Sequence, residues 1–172
     1  LDALGACDKP IIAAVNGVAL GIGMTMLGHT DLNYFASNAR MKCPFTSLGV
    51  TPEAASSMLF PRLMGIQRTN EFLFTARWMG ADEAVAVGLG IAVVPGTDLM
   101  KTVLDKATEI AAMPPRAVQA TKALLRASDA DVMRAVRDRE NASLAARIGS
   151  RENLEAISAF FEKRVPNFDG LD

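Results

Sequence analysis

Cysteine, histidine and aromatic residues are scarce in this chain. Two of its 172 residues are cysteine, Cys7 and Cys43, and one is histidine, His29. Two cysteines close at most one bridge, which excludes a disulfide framework and fits a reducing compartment, so the expected location is cytoplasmic. One histidine and two distant cysteines leave no zinc-type ligand cluster. Any serine or cysteine triad would have to use His29, and no G-x-S-x-G elbow accompanies it. An excess of charge is lacking too: 18 Lys+Arg stand against 19 Asp+Glu, which offers no basic footprint for nucleic acid or an anionic membrane. Aromatics make up 6% against a hydrophobic fraction of 50%, so the core is aliphatic, and the length suits one domain with a sizeable core. Internal repeats and low-complexity segments are missing as well.

Leu1 is not a start methionine and no secretory signal is visible, so the chain is expected to begin inside a longer protein. The apolar run from Pro10 to Gly28 approaches the length of a membrane span, but Asn16 and four glycines interrupt it.

That run opens the most informative stretch, Lys9 to Glu53. Pro10 to Val15 has the length and β-branched content of a buried strand, and Asn16-Gly17 breaks it. Val18 to Gly28 follows, with glycines that free the backbone ahead of an apolar segment able to begin a buried helix. Strand, glycine turn and helix start aim free N–H groups at an anion. A second strand and its loop, Asp31 to Val50, lead to Thr51-Pro52-Glu53, where threonine suits a cap, proline the first helical position and the carboxylate the helix dipole.

The helix begun at Thr51 is expected to run to Phe60, with Pro61 ending it or starting a new turn. Further helices are expected over 67–76, where Phe72 and Leu73 line an apolar stripe, and over 81–87, stopped by Gly88. Ile91 to Val94 reads as a brief strand. From Asp98 the pattern turns entirely helical: 98–112 capped by Asp98, 115–126, 131–148, and 151–163 capped by Ser150. On the third of these, Arg134, Arg137, Asp138, Arg139 and Glu140 read as a solvated face backed by a Val132, Met133, Val136 and Leu144 stripe. Strands early and helices late give an α/β layout. It divides into a core portion, residues 1–96, and a C-terminal helical region, residues 97–172.

Three chemical candidates follow. Gly21-Ile22-Gly23 resembles the start of a dinucleotide fingerprint, but Met26 holds the third glycine position and no acid lies at the required distance. Cys43, before Pro44, reads as a small buried hydrophobe rather than a nucleophile. Glu53 is either a carboxylate at a helix start or, among Phe45, Leu48, Val50, Met58 and Leu59, a desolvated proton carrier.

The run Lys9-Pro10-Ile11-Ile12-Ala13-Ala14-Val15-Asn16-Gly17-x-Ala19-x-Gly21, then Asp31, then Pro44-Phe45-x-x-Leu48-Gly49-x-x-Pro52-Glu53, resembles the crotonase, or enoyl-CoA hydratase/isomerase, superfamily. The resemblance continues through Ala84-x-x-x-Gly88-Leu89, Pro114-Pro115 to Lys122, and Phe161-Glu162-Lys163-Arg164-x-Pro166-x-Phe168. It implies a spiral of β-β-α turns with a helical C-terminal part that packs in trimers or dimers of trimers. The implied partner is an acyl-CoA thioester, with coenzyme A carried on the substrate and no metal or redox cofactor. Two backbone N–H groups hold the enolate oxygen in such proteins. Ile22 matches the second donor, and the first would lie upstream of Leu1. The two glutamates of hydratases would fall at Thr25 and Phe45, and neither is present. The Phe45 to Ser57 segment is instead similar to Δ3,Δ2-enoyl-CoA isomerases, in which one glutamate, matching Glu53, moves the proton from C2 to C4. Lys163 matches basic residues that meet CoA phosphates, and it also reads as a solvated helix-end lysine. The alternatives are another acyl-CoA reaction of the superfamily, including hydration with Glu53 alone, and a non-catalytic acyl-CoA-binding subunit or inactive fragment.

Overall fold

The computed structural model describes residues 1–127 and 130–171, so Ser128, Asp129 and Asp172 of the expected helical region lie outside the described residues. The chain opens with a short helix, α1 (Asp2–Ala6), and then alternates between two sheets. Strand β1 (Ile12–Val15) enters one sheet and β2 (Val18–Leu20) the other, before α2 (Ile22–Thr25) and a 3-10 turn (Met26–Gly28). The cycle repeats with β3 (Leu32–Ala36) and β4 (Arg40–Lys42), a second 3-10 turn (Thr46–Leu48), and the helices α3 (Ser56–Met64) and α4 (Ile66–Thr75). Then come β5 (Met79–Gly80), α5 (Ala81–Ala86) and β6 (Ala92–Val94). The first sheet has the order β1-β3-β6, all parallel, and the second β2-β4-β5, with β5 antiparallel. Each β-β-α unit therefore advances both sheets by one strand, which is a spiral. The remaining described residues are mainly helical: α6 (Leu99–Ala111), α7 (Pro115–Ala127), α8 (Ala130–Arg147) and α9 (Arg151–Glu162).

β3 shows why the sheet is layered. Successive side chains of a strand point to opposite faces. Phe35 enters a core with Met24, Met41, Phe60, Phe72 and Met79, while Tyr34 and Ala36 face Leu99 and Val103 of α6. A parallel strand buried on both faces needs a near-continuous apolar run, and β3 has one. Asn33 is its polar exception. Its side-chain amide donates to the carbonyls of Leu27 (3.0 Å) and Leu89 (2.8 Å), so the group is buried but satisfied.

The expected elements are present with shifted boundaries. The apolar run from Pro10 to Gly28 is divided between β1, β2 and α2, and no helix among the described residues is long and apolar enough to cross a membrane. Val18 to Leu20 forms a strand, because parallel pairing with Arg40–Lys42 outweighs any helical start there. The Thr51 start is wrong: α3 begins at Ser56, and the Thr51 hydroxyl is buried with no hydrogen-bond partner among the described residues. Pro61 lies inside α3, which ends at Met64 with Gly65 as its C-cap. Asp98 precedes α6 without a side-chain cap, whereas Ser150 caps α9 by accepting from Asn153 N–H at 3.2 Å.

Candidate active site

Two turns meet the end of β4, one at Lys42 and the other at Cys43. On one side lies Gly21, whose φ of 54° and ψ of −119° are open to glycine and strained for other residues. Its N–H donates to the Lys42 carbonyl (3.0 Å), which seats the start of α2 on β4. Met24 and Thr25 N–H both donate to the Gly21 carbonyl at 2.9 Å. The N–H groups of Ile22 and Gly23 are left with no acceptor among the described residues. These are the orphan donors of a helix start. Ile22 itself is 49% exposed.

On the other side lies the half-buried Glu53. Its carboxylate faces the fully buried Cys43 closely enough to help raise that thiol, which burial chiefly pushes up to about 12. Cys43 is therefore a protonated hydrophobe, as its sequence setting implies. Burial also holds the Glu53 carboxyl above its ordinary 4.5, with a smaller push from the charge of Glu140.

The backbone after Glu53 is unusual. Ala54 and Ala55 have φ of 63° and 56°, the left-handed region, at a cost of about 1–2 kcal/mol each. Such a turn persists only where its surroundings over-determine it. Three groups do so. The Glu53 carbonyl accepts from Ser56 N–H (3.1 Å) and Ser56 Oγ–H (2.6 Å). His29, buried and kept neutral chiefly by desolvation, donates Nε2–H to the Ala54 carbonyl at 2.6 Å. Glu140 reaches across from α8, and its Oε2 accepts from Ala55 N–H (2.5 Å) while Oε1 accepts from Ser57 N–H (2.9 Å) and Ser57 Oγ–H (2.5 Å). Glu140 thus caps α3 in place of Thr51.

This corrects the reading of Glu140 as part of a solvated face, since it is 7% exposed. The signal was its spacing. Met133, Val136, Glu140 and Leu144 fall on one helical stripe, and Val136 of that stripe packs with Ala55 and Leu59. A carboxylate within an inward stripe marks a buried partner.

Of the sequence candidates, Glu53 faces Cys43, and Ile22 follows Gly21, whose N–H is bonded to Lys42, the residue before Cys43. Lys163 is elsewhere. It is exposed at the C-terminal end of α9, about 15 Å along that helix from Asn153, whose amide donates to the Leu48 carbonyl at 2.6 Å. Thr25 and Phe45 are buried, with the Thr25 hydroxyl bonded back to the Ile22 carbonyl at 3.5 Å, so neither stands in for a second carboxylate. A separate apolar groove of about 600 Å³ lies between β1 and α6–α7, lined by Ile12, Val103, Leu104 and Val118, and it includes none of these site residues.

Comparison with known proteins agrees with this architecture. The model of the family described as enoyl-CoA hydratase/isomerase matches residues 1–171. A solved structure, an enoyl-CoA hydratase/isomerase from Pseudoalteromonas atlantica T6c, superposes with a TM-score of 0.94 at 38% identity over 97% of this chain and 67% of that one. Enoyl-CoA delta isomerase 2 of Rattus norvegicus is 36% identical over 156 residues, 91% of this chain. Short-chain-enoyl-CoA hydratase of Clostridium acetobutylicum is 35% identical over 158 residues, also 91% of this chain. The chain spans 40% of the first of these relatives and 60% of the second. The spiral of paired strands is the crotonase fold, and the chain belongs to the enoyl-CoA hydratase/isomerase family.

Proposed function

We propose that the chain carries the proton-transfer site of an acyl-CoA isomerase that moves a double bond from the 3- to the 2-position. The observation that carries this reading is the half-buried Glu53 carboxyl, raised above its ordinary value chiefly by burial and facing Cys43, the residue after the Lys42 carbonyl on which the start of α2 is seated. In the reaction, Glu53 removes a proton from C2 of a 3-enoyl thioester. The C–H electron pair delocalises onto the thioester oxygen, and the resulting dienolate accepts a hydrogen bond from Ile22 N–H. The protonated Glu53 then returns the same proton to C4 as the charge collapses into the C2–C3 double bond. One carboxyl acts as base and then acid, and a raised carboxyl suits both tasks. Lys163, at the end of α9, is proposed to meet the phosphates of coenzyme A, and the assembled protein is proposed to be a trimer or a dimer of trimers.

The test supplies a trans-3-enoyl-CoA to the parent chain and to Glu53→Gln, following the conjugated 2-enoyl product. Loss of about 10²–10⁴-fold in the variant is expected for a removed acid–base group, and equal turnover in both would remove Glu53 from the chemistry. Hydratase relatives near 35% identity favour a second reading, in which Glu53 alone activates water toward a 2-enoyl-CoA. Formation of 3-hydroxyacyl-CoA from a 2-enoyl-CoA distinguishes it.

A further inference from the structure

We infer that Glu140 is a positioning residue for Glu53, clamping the turn that carries it and facing it with a fixed negative charge. The inference rests on the reading of Glu53 as the proton carrier. Its geometry comes from α8. Glu140 spends both carboxylate oxygens on three donors, one at Ala55 of the strained pair Ala54 and Ala55 and two at Ser57 just beyond it. That is the hydrogen-bond set of a carboxylate anion, acceptor at every site. A simple helix cap was available nearby in Thr51, whose hydroxyl is left unpaired, yet the acceptor comes from a residue 85 positions later. Neutral capping by serine, threonine or asparagine satisfies the same N–H groups. A carboxylate adds a charge that Glu53 feels.

The charged and titratable neighbours of this turn are few. From α8 comes Glu140, and Arg137, one turn earlier, is paired with Asp2 at 2.5 Å. Cys43 faces Glu53 from the strand side as a neutral thiol, and His29 faces the Ala54 carbonyl as a neutral imidazole. Glu140 is therefore the group whose charge bears on Glu53, and it disfavours a second anion beside it. Glu53 is thereby kept a better proton carrier than burial alone would make it, and its carboxyl is fixed relative to the start of α3.

The experiment labels glutamate with ¹³C at the side-chain carboxyl and assigns Glu53 by the resonance lost in Glu53→Gln. Parent, Glu140→Gln and Glu140→Ala are titrated, and amide exchange is measured at Ala55 and Ser57. The expected result is a Glu53 midpoint displaced to lower pH in Glu140→Gln, with Ala55 and Ser57 exchanging about tenfold or more faster in Glu140→Ala, the equilibrium factor of one charge-assisted hydrogen bond. Should Glu140→Ala fail to fold, Glu140→Gln decides alone. Its amide sets a donor against a donor at Ala55 or Ser57, so exchange quickens there while the midpoint falls. An unchanged midpoint in Glu140→Gln, or parent-like protection at both residues, overturns the inference. None of these readouts needs turnover. A displaced midpoint in a chain inactive on 3-enoyl-CoA would keep the coupling and count against turnover by this chain, whereas an active chain with an undisplaced midpoint would refute the coupling alone. Where turnover is present, the acid limb of kcat/KM moves to lower pH in Glu140→Gln together with the Glu53 resonance.

Discussion

Gly49→Ala tests whether the helical end of the chain holds the loop that leads to Glu53. Gly49 has φ of 67°, and a Cβ placed there would stand 2.8 Å from Asn153 N, 2.9 Å from Glu152 C and 3.0 Å from Asn153 Cα. All three are backbone atoms of α9, so no side chain can swing away. The helix is itself pinned at that point, because Ser150 caps it and Asn153 donates to Leu48. The left-handed backbone costs an alanine about 1–2 kcal/mol, and the forced separation of α9 from the loop adds about 1–3 kcal/mol of overpacking. The expected loss is about 2–5 kcal/mol. Gly149→Ala supplies the control, since Gly149 has φ of 77° with nothing within 4 Å of its added Cβ. It should lose only the backbone cost of about 1–2 kcal/mol. Urea unfolding of the three proteins measures both, with the m-value checked for constancy. A Gly49→Ala variant no less stable than Gly149→Ala would show that the contact with α9 does not constrain the loop.

Two further outcomes follow from the titrating groups. A carboxyl raised on folding binds its proton more tightly in the native state, so its contribution favours folding below the unfolded value near 4.5 and is lost as pH rises through the folded value. Glu53→Gln should therefore melt higher than the parent at pH 7, with the advantage fading near pH 4; an advantage independent of pH would refute the desolvation argument. Cys43, buried with its thiol pushed up to about 12, should resist a thiol reagent at pH 8 while the half-buried Cys7 reacts. Thiol counting should give one reactive group in the native chain and two in denaturant, and fast labelling of Cys43 in the native chain would contradict its burial.

The strands and helices were legible where one pattern decided them. β1 and β6 are short apolar runs bounded by turn residues, and the ranges of α6, α7, α8 and α9 follow their apolar stripes within a residue or two. The partly buried setting of Glu53 was legible through its apolar neighbours, and its proposed role comes from the resemblance of its motif. The start of α3 was not, because Thr51-Pro52-Glu53 carries every local mark of a helix start and a distant side chain overrides them. Two alanines in the left-handed region cannot be read from their identity, since alanine favours the right-handed helix wherever nothing else intervenes. β2 was hidden for a similar reason: three residues form a strand only once Arg40–Lys42 lies beside them.

The bond from Glu140 to Ala55 also sets an order of assembly. It closes a loop of 85 residues, and bringing such distant points together costs roughly 4 kcal/mol of chain entropy by the (3/2)RT ln n rule, before its constant. The pairings of β1 with β3 and β2 with β4 span about twenty residues each and need nothing from α8. As the chain leaves the ribosome the sheets can therefore register first, and the turn after Glu53 takes its final shape only after residue 140 has emerged and docked. Trimming of α8 would leave the strand pairings of β1 with β3 and β2 with β4 while removing the clamp on the turn after Glu53.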